Sequence, residues 1–190
     1  MNCKMVRDNF LQRKNDVLNK LDKSSVGGWD DKIKPLCKKI NELDDFYTTS
    51  SCSGRIIVMA DRDKKGPGLF EFTSHNNVNF NELNKFLSGN LKGDLKFKSE
   101  PPIIHVCCRT LDSAEKILNF AQNAGWKRSG IISLGRFIVV EMVSTEKIEF
   151  PLINRGDLLV DKNFLKIVLE KANSNLKKGW LKIAKLEKMF

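Results

Sequence analysis

Apolar residues recur at helical spacing over residues 4–23, where Phe10, Leu11, Val17, Leu18 and Leu21 share a face, and this predicts a first amphipathic helix. Ser24-Ser25-Val26-Gly27-Gly28 ends it. Asp30 or Asp31 then opens a second helix with Trp29, Ile33, Leu36, Cys37, Ile40 and Leu43 on one side, and Pro35 is confined to its first turn because proline has no N–H to donate. Both helices are expected to pack on a sheet. From residue 46 to 73 the pattern changes to β-branched and aromatic runs, broken by the turn-forming cluster 61–68, which predicts a hairpin. Helical spacing returns over 78–87 and stops at Gly89. A strand over 95–98 leads through Glu100-Pro101-Pro102 to a second, apolar strand over 103–108. A helix from Leu111 through Ala124 ends at Gly125, the strands around Ile131-Ile132 and 137–140 pair across Gly135, and a last helix starts near Asp161.

The order ααββαββαββα predicts an α+β fold, a mixed and largely antiparallel sheet with flanking helices. No G-x-G-x-x-G follows the first strand and no P-loop string occurs, so a Rossmann methyltransferase fold, a common dinucleotide site and an NTPase are unsupported. A chain of 190 residues fits one domain over 1–190 with room for two internal lobes, a helical N-terminal region at 4–44 and a basic C-terminal helix at about 161–188.

Composition adds limits. A hydrophobic fraction of 41% and a charged fraction of 29% are those of a globular chain. No apolar run reaches membrane-spanning length and the N-terminus has no apolar signal core, so a cytoplasmic location is expected. Five cysteines without a C-x-x-C pair, beside only two histidines, suggest neither a disulfide framework nor a metal site. Cys107 and Cys108 are adjacent on an apolar strand and so face opposite ways, at least one of them into a core. The net charge of +10 points to a polyanionic partner or to a solvated lysine surface; residues 161–190 hold half of it, eight lysines against Asp161, Glu170 and Glu187.

The stretch Tyr47-Thr48-Thr49-Ser50-Ser51-Cys52-Ser53-Gly54-Arg55 packs hydroxyls, a thiol, a glycine and an arginine between Phe46 and the apolar run 56–60. Hydroxyls and backbone N–H groups beside a glycine can wrap a polar or anionic ligand, and a guanidinium offers a planar fork to carboxylate or phosphate. The plain alternative is a hydroxyl-rich strand entering a hairpin turn at Ser53-Gly54. Three further places carry polar groups at strand ends: His75; His105, embedded in the apolar strand; and Lys127-Arg128 between Gly125 and Gly130. A buried histidine is either a structural hydrogen-bonder or a proton acceptor suited to neutral pH, and the basic pair is either an ordinary turn or a phosphate contact.

These residues, in order along nearly the whole chain, resemble the wybutosine-synthesis N(4)-methyltransferases. The resemblance is carried by Phe10-x-x-Arg13-Lys14, Tyr47 to Arg55, Thr73-Ser74-His75, Phe97-x-x-Glu100-Pro101, His105-Val106-x-Cys108-Arg109, Gly125-Trp126-Lys127-x-Ser129-Gly130-Ile131, Ser144-Thr145 and Glu149-x-Pro151-Leu152. It implies an S-adenosylmethionine-dependent enzyme of a fold other than Rossmann. The reaction implied is methylation of N(4) of the 7-(3-amino-3-carboxypropyl)-4-demethylwyosine base at position 37 of tRNA(Phe). It also implies a cofactor pocket at Ser51, Ser53, Gly54 and Arg55, with His105 and His75 as its polar catalytic members. Arg55 would pair with the donor's carboxylate or with the acidic chain on the modified base. Lys127, Arg128 and Arg109 would meet tRNA, as would lysines of the last helix. Phe46, Tyr47 or Trp126 would either stack on a base or fill the core. The chain departs from the family pattern at Lys127, where arginine is usual, and near Leu69-Phe70, where tryptophan is frequent. Two rivals remain: a non-catalytic tRNA-binding module assisting another modifying enzyme, and a Cys52–His105 thiol hydrolase.

Overall fold

Local chemistry sets the helix ends. In the computed structural model, which describes residues 9–20, 30–62, 66, 68–89 and 91–190, the clearest case is α4 (Leu111–Asn123). The Thr110 hydroxyl accepts from the Ser113 N–H while Ser113 Oγ accepts from the Thr110 N–H, a reciprocal capping box, and Gly125 at φ +90° follows the C-terminus. Asn79 caps α3 (Phe80–Leu87) by accepting from the Glu82 N–H, and Asp161 accepts from the Phe164 N–H in the first turn of α5 (Lys162–Glu187). The first helix, expected over 4–23, is α1 (Asn9–Leu18) within the described residues; 4–8, 21–23 and the expected stop at 24–28 lie outside them. The second, α2 (Lys34–Glu42), starts later than expected, because Asp30 to Ile33 form a separate hydrogen-bonded turn; Pro35 does occupy the first helical turn, and Trp29 is outside the described residues.

Among the described residues nine strands follow: β1 (Phe46–Cys52), β2 (Arg55–Ala60), β3 (Phe70–Ser74), β4 (Leu95–Glu100), β5 (Ile103–Cys108), β6 (Gly130–Leu134), β7 (Ile138–Val143), β8 (Ile148–Asn154) and β9 (Asp157–Leu158). They make an α+β fold with two antiparallel sheets, one ordered β1-β5-β7-β6 and the other β3-β2-β4-β8-β9. The β2–β3 hairpin and the β6–β7 hairpin match the sequence reading. A hairpin turning at Ser53-Gly54 does not form: β1 pairs with β5, whereas β2 pairs with β3 and β4, so a two-residue link parts strands of different sheets. β8 and β9 are additions to the sequence reading. Pro151 lies inside β8, opposite Lys96 at a register shift where the ladder is already irregular.

The chain forms two compact units. The first comprises 1–52, 103–143 and 183–190, and the second comprises 53–102 and 144–182, so the backbone passes from one to the other four times. In the first unit α2 and α4 pack on the four-stranded sheet, and Leu36, Ile40, Ile104, Val106, Ile117, Val140 and Met142 are fully buried. Each such aliphatic side chain contributes roughly 1.5–3 kcal/mol on leaving water. The opposite face receives α1, with Phe10 against Tyr47 at 5.2 Å between ring centroids and Cys107 beneath them. Lys14 of α1 is buried and donates from Nζ to the Leu43 carbonyl at the end of α2, 2.6 Å away. In the second unit Ile56, Val58, Leu95, Phe97 and Leu152 pack with Leu165, Leu169 and Leu176 of α5. Among the described residues no helix is long and apolar enough to cross a membrane.

Candidate functional site

Three neighbouring strands of the first unit place a hydroxyl, an imidazole and a carboxylate in one row. Ser50 of β1 stands opposite His105 of β5, which stands opposite Glu141 of β7. Ser50 Oγ is 2.8 Å from His105 Nδ1, and His105 Nε2 is 2.8 Å from Glu141 Oε2. A carboxylate only accepts, so the bond to Glu141 puts the ring proton on Nε2 and leaves the Nδ1 lone pair facing the Ser50 hydroxyl. The row is reached by solvent, with 28% of the His105 side chain and 34% of the Glu141 side chain exposed. This is the hydroxyl–imidazole–carboxylate order of a proton relay.

A β-bulge creates the row. Thr48 pairs with Val106 and Ser50 with His105, so Thr49 is an extra residue on β1. Regular pairing would set Thr49 opposite His105; the bulge substitutes Ser50, and Thr49 Oγ1 instead lies 3.4 Å from the His105 carbonyl oxygen. Parity then decides the next hydroxyl. Ser51 pairs with Ile104, whose side chain points to the other face from His105, and Ser51 sits against the Cys37 thiol of α2. Ser51 and His105 are therefore on opposite faces of the sheet.

Ser53, Gly54 and Arg55 belong to the second unit. Ser53 is 1% exposed. Gly54 has φ +94°, and a Cβ there would meet the Glu100 carbonyl oxygen at 3.0 Å and Leu176 Cδ2 at 3.1 Å, so the position requires glycine. Arg55 donates from Nε to Glu100 Oε2 at 2.6 Å and lies over the Phe70 ring, 4.9 Å from its centroid. Burial pushes the Glu100 carboxyl up, but Arg55 and then Lys98 outweigh it and hold the group below its ordinary range. The pair offers one cation and one anion on adjacent strands, each about a quarter exposed at 28% and 25%. Such a pair complements an amino-acid zwitterion. Ser99, on β4 beside Glu100, is buried with an Oγ that has no hydrogen-bond partner among the described residues.

His75 follows β3 in the second unit and is half-buried. Lys127 and Arg128 are exposed in the loop after α4, where the Arg128 N–H donates to the Val143 carbonyl. Arg109 pairs with Asp45 at 3.6 Å and lies over the Phe10 ring at 5.9 Å. Phe46, Tyr47 and Trp126 are at most 3% exposed and serve as core, whereas Phe70 is 46% exposed. Burial raises the thiols of Cys37, to about 11, and Cys108, to about 12, so both stay protonated and unreactive. Both nitrogens of His105 are engaged by Ser50 and Glu141, which leaves a Cys52–His105 hydrolase without its defining hydrogen bond. Sequence reasoning missed Glu141 and Glu100 as partners. The available signal for Glu141 was a carboxylate inside the apolar run 138–143, matching the histidine inside 103–108.

A second polar cluster ties the segment after β7 to α5. Buried Ser144 donates to Glu146 Oε2 and accepts from Lys182 Nζ at 2.9 Å, and Lys182 also bonds Glu146. Burial raises the Glu146 carboxyl, but Lys182 and Ser144 together hold it below its usual value of 4.5. Its folded value is depressed, so its contribution is complete above the unfolded value and disappears as pH falls through the folded one. Glu146→Gln is expected to cost about 1–3 kcal/mol at pH 7. In melts recorded from pH 7 to pH 3 the gap from wild type should narrow below about pH 4.5. A gap independent of pH would contradict the assignment.

The profile of the family described as Methyltransferase TYW3 matches residues 12–190. The chain is 36% identical over 175 residues to a Methanocaldococcus jannaschii protein named tRNA(Phe) 7-((3-amino-3-carboxypropyl)-4-demethylwyosine(37)-N(4))-methyltransferase, covering 90% of this chain and 91% of that one. A protein of the same name from Archaeoglobus fulgidus is 41% identical over 158 residues, covering 82% and 79%. The solved structure of a Pyrococcus horikoshii protein superposes with a TM-score of 0.84 at 33% identity, covering 95% of this chain and 93% of that one.

Proposed function

The chain belongs to the Methyltransferase TYW3 family, and from that premise we propose that it methylates N(4) of 7-(3-amino-3-carboxypropyl)-4-demethylwyosine at position 37 of tRNA(Phe), with S-adenosylmethionine as donor. The observation that carries this reading is the near full-length similarity to relatives that share that one name. A non-catalytic module would leave the Ser50–His105–Glu141 row without a purpose, and the row therefore favours the enzyme.

S-adenosylmethionine supplies a methyl group on a positively charged sulfur, which makes the carbon electrophilic. Arg55 and Glu100 fit its amino-acid end, guanidinium to carboxylate and carboxylate to ammonium. As the new N–CH₃ bond forms, the methyl–sulfur bond would break with its electron pair going to sulfur, leaving a neutral thioether, and the acceptor nitrogen must give up its proton. In this reading Ser50 Oγ takes that proton and passes its own to His105 Nδ1, and Glu141 stabilises the resulting imidazolium through Nε2, a route supported by the two 2.8 Å contacts of the ring. His105 is then the terminal base and Glu141 its positioning residue. His75, half-buried in the second unit, is assigned no proton-transfer step. Exposed Lys127 and Arg128, with Arg109, are assigned to tRNA phosphates. The reaction is expected in the cytoplasm.

The test is transfer of labelled methyl from S-adenosylmethionine to phenylalanine tRNA from cells that lack the enzyme, with nucleoside mass spectrometry to locate the label. Label on the tricyclic base that is lost in Arg55→Ala is the expected result. Tight tRNA binding with no transfer would favour the non-catalytic module.

A further inference from the structure

The first unit holds two adjoining hollows beside α1 that play no part in the proton relay. The larger, about 660 Å³, is walled by Phe10, Arg109, Leu111, Leu134, Arg136 and Phe137, and the smaller, about 310 Å³, by Gln12, Arg13, Asp16, Arg136 and Phe137. They meet at Arg136 and Phe137, the link between β6 and β7. Their walls alternate guanidinium and aromatic ring: Arg109 lies 5.9 Å from the Phe10 centroid and Arg136 lies 5.3 Å from the Phe137 centroid. Leu111 and Leu134 are 58% and 67% exposed at the larger hollow, an apolar surface left open to water.

We propose that this paired groove binds a single-stranded stretch of RNA, with bases on Phe137 and the two leucines and phosphates on Arg136, Arg13 and Arg109. Unpaired bases stack on aromatic rings and on guanidinium planes, and an electropositive track follows the backbone between them. The volume of the larger hollow lies in the range of roughly 300–1,000 Å³ typical of small-ligand sites. Its continuation past Arg136 suits a strand better than a lone nucleotide. Charge selects the partner. Arg13, Arg109 and Arg136 line the hollows with one carboxylate, Asp16, which Gln12 bonds at 3.1 Å; even with Arg109 paired to Asp45, cations outnumber anions there and a polyanion complements the groove. The identity of the RNA as the anticodon loop of tRNA(Phe) rests on the function proposed above; the groove itself does not.

The experiment measures fluorescence anisotropy of a labelled tRNA(Phe) anticodon stem-loop with full-length protein, as a function of salt, for wild type, Arg136→Gln and Arg13→Gln. Each variant should weaken binding roughly five- to tenfold and lower the salt slope by about 0.7. S-adenosylmethionine binding should stay unchanged, which also reports a folded protein. Photocrosslinking from 4-thiouridine in the loop should label the peptide carrying Leu134 to Phe137. Unchanged affinity and slope in both variants would overturn the proposal, as would competition by AMP at the same concentration as the stem-loop. Methyl transfer separates the two readings. Wild type that binds the stem-loop through Arg136 without methylating tRNA refutes the enzyme and keeps the groove, and methylation unaffected by Arg136→Gln with unchanged RNA binding does the reverse.

Discussion

Replacing His105 by alanine is expected to lower methyl transfer by about 10²–10⁴-fold, the usual worth of a positioned general base. Donor and tRNA affinities should hold, because the imidazole acts on a proton released only as the new bond forms. The loss should be partly reversed by added imidazole, which a purely structural role would not allow. Glu141→Gln removes the negative charge that stands 2.8 Å from Nε2 while keeping the side-chain shape and an amide oxygen able to accept. It should give a smaller fall in kcat with KM for donor and tRNA unchanged, the mark of a group acting through His105. A His105→Ala enzyme as fast as wild type would dismiss the relay and leave the row as a structural hydrogen-bond chain.

Gly54→Ala should be strongly damaging in the second unit. The backbone there is at φ +94°, where a Cβ is strained, and the methyl group would press on the Glu100 carbonyl at 3.0 Å and on Leu176 Cδ2 at 3.1 Å. Leu176 is 1% exposed in the core and has little room to retreat. Strain and overpacking together cost about 2–4 kcal/mol. For a chain of this length that is a fall of roughly 5–15 °C in Tm. Arg55 is the next residue, so its 2.6 Å bond to Glu100 should loosen and donor affinity should drop as well. Gly135→Ala serves as the control, since its nearest neighbour would be Ser133 Oγ at 3.8 Å and its φ is not in the left-handed region. Equal melting temperatures for the two variants would show that the close approach at Gly54 is relieved cheaply.

Much of this architecture could be read from the chain, and the failures share a cause. Helix α4 was legible at both ends because a hydroxyl cap and a C-terminal glycine act within a few residues. Strand β5 was legible as an apolar run broken only by His105. The separation of β1 from β2 was not, because pairing partners some fifty residues away decide it rather than the Ser53-Gly54 link. β8 was hidden by Pro151, which argues against a strand unless a register shift admits it. In the site, the hydroxyl-rich string and His105 were visible and their matching was not. The resemblance pointed to Ser51 and passed over Ser50, and only the bulge at Thr49 sets the parity that turns Ser50 toward the imidazole and Ser51 toward Cys37. Glu141 needed the β5–β7 register for the same reason.

The four passages of the backbone between units also fix an order of events on the ribosome. When residue 143 has been made, all four strands of the β1-β5-β7-β6 sheet exist, but the other sheet has only β2, β3 and β4. The side of β4 that will receive β8 then carries unpaired N–H and C=O groups until 148–154 emerge. Lys96, Lys98 and Glu100 on that strand keep this temporary edge charged, which discourages a neighbouring nascent chain from docking where β8 belongs.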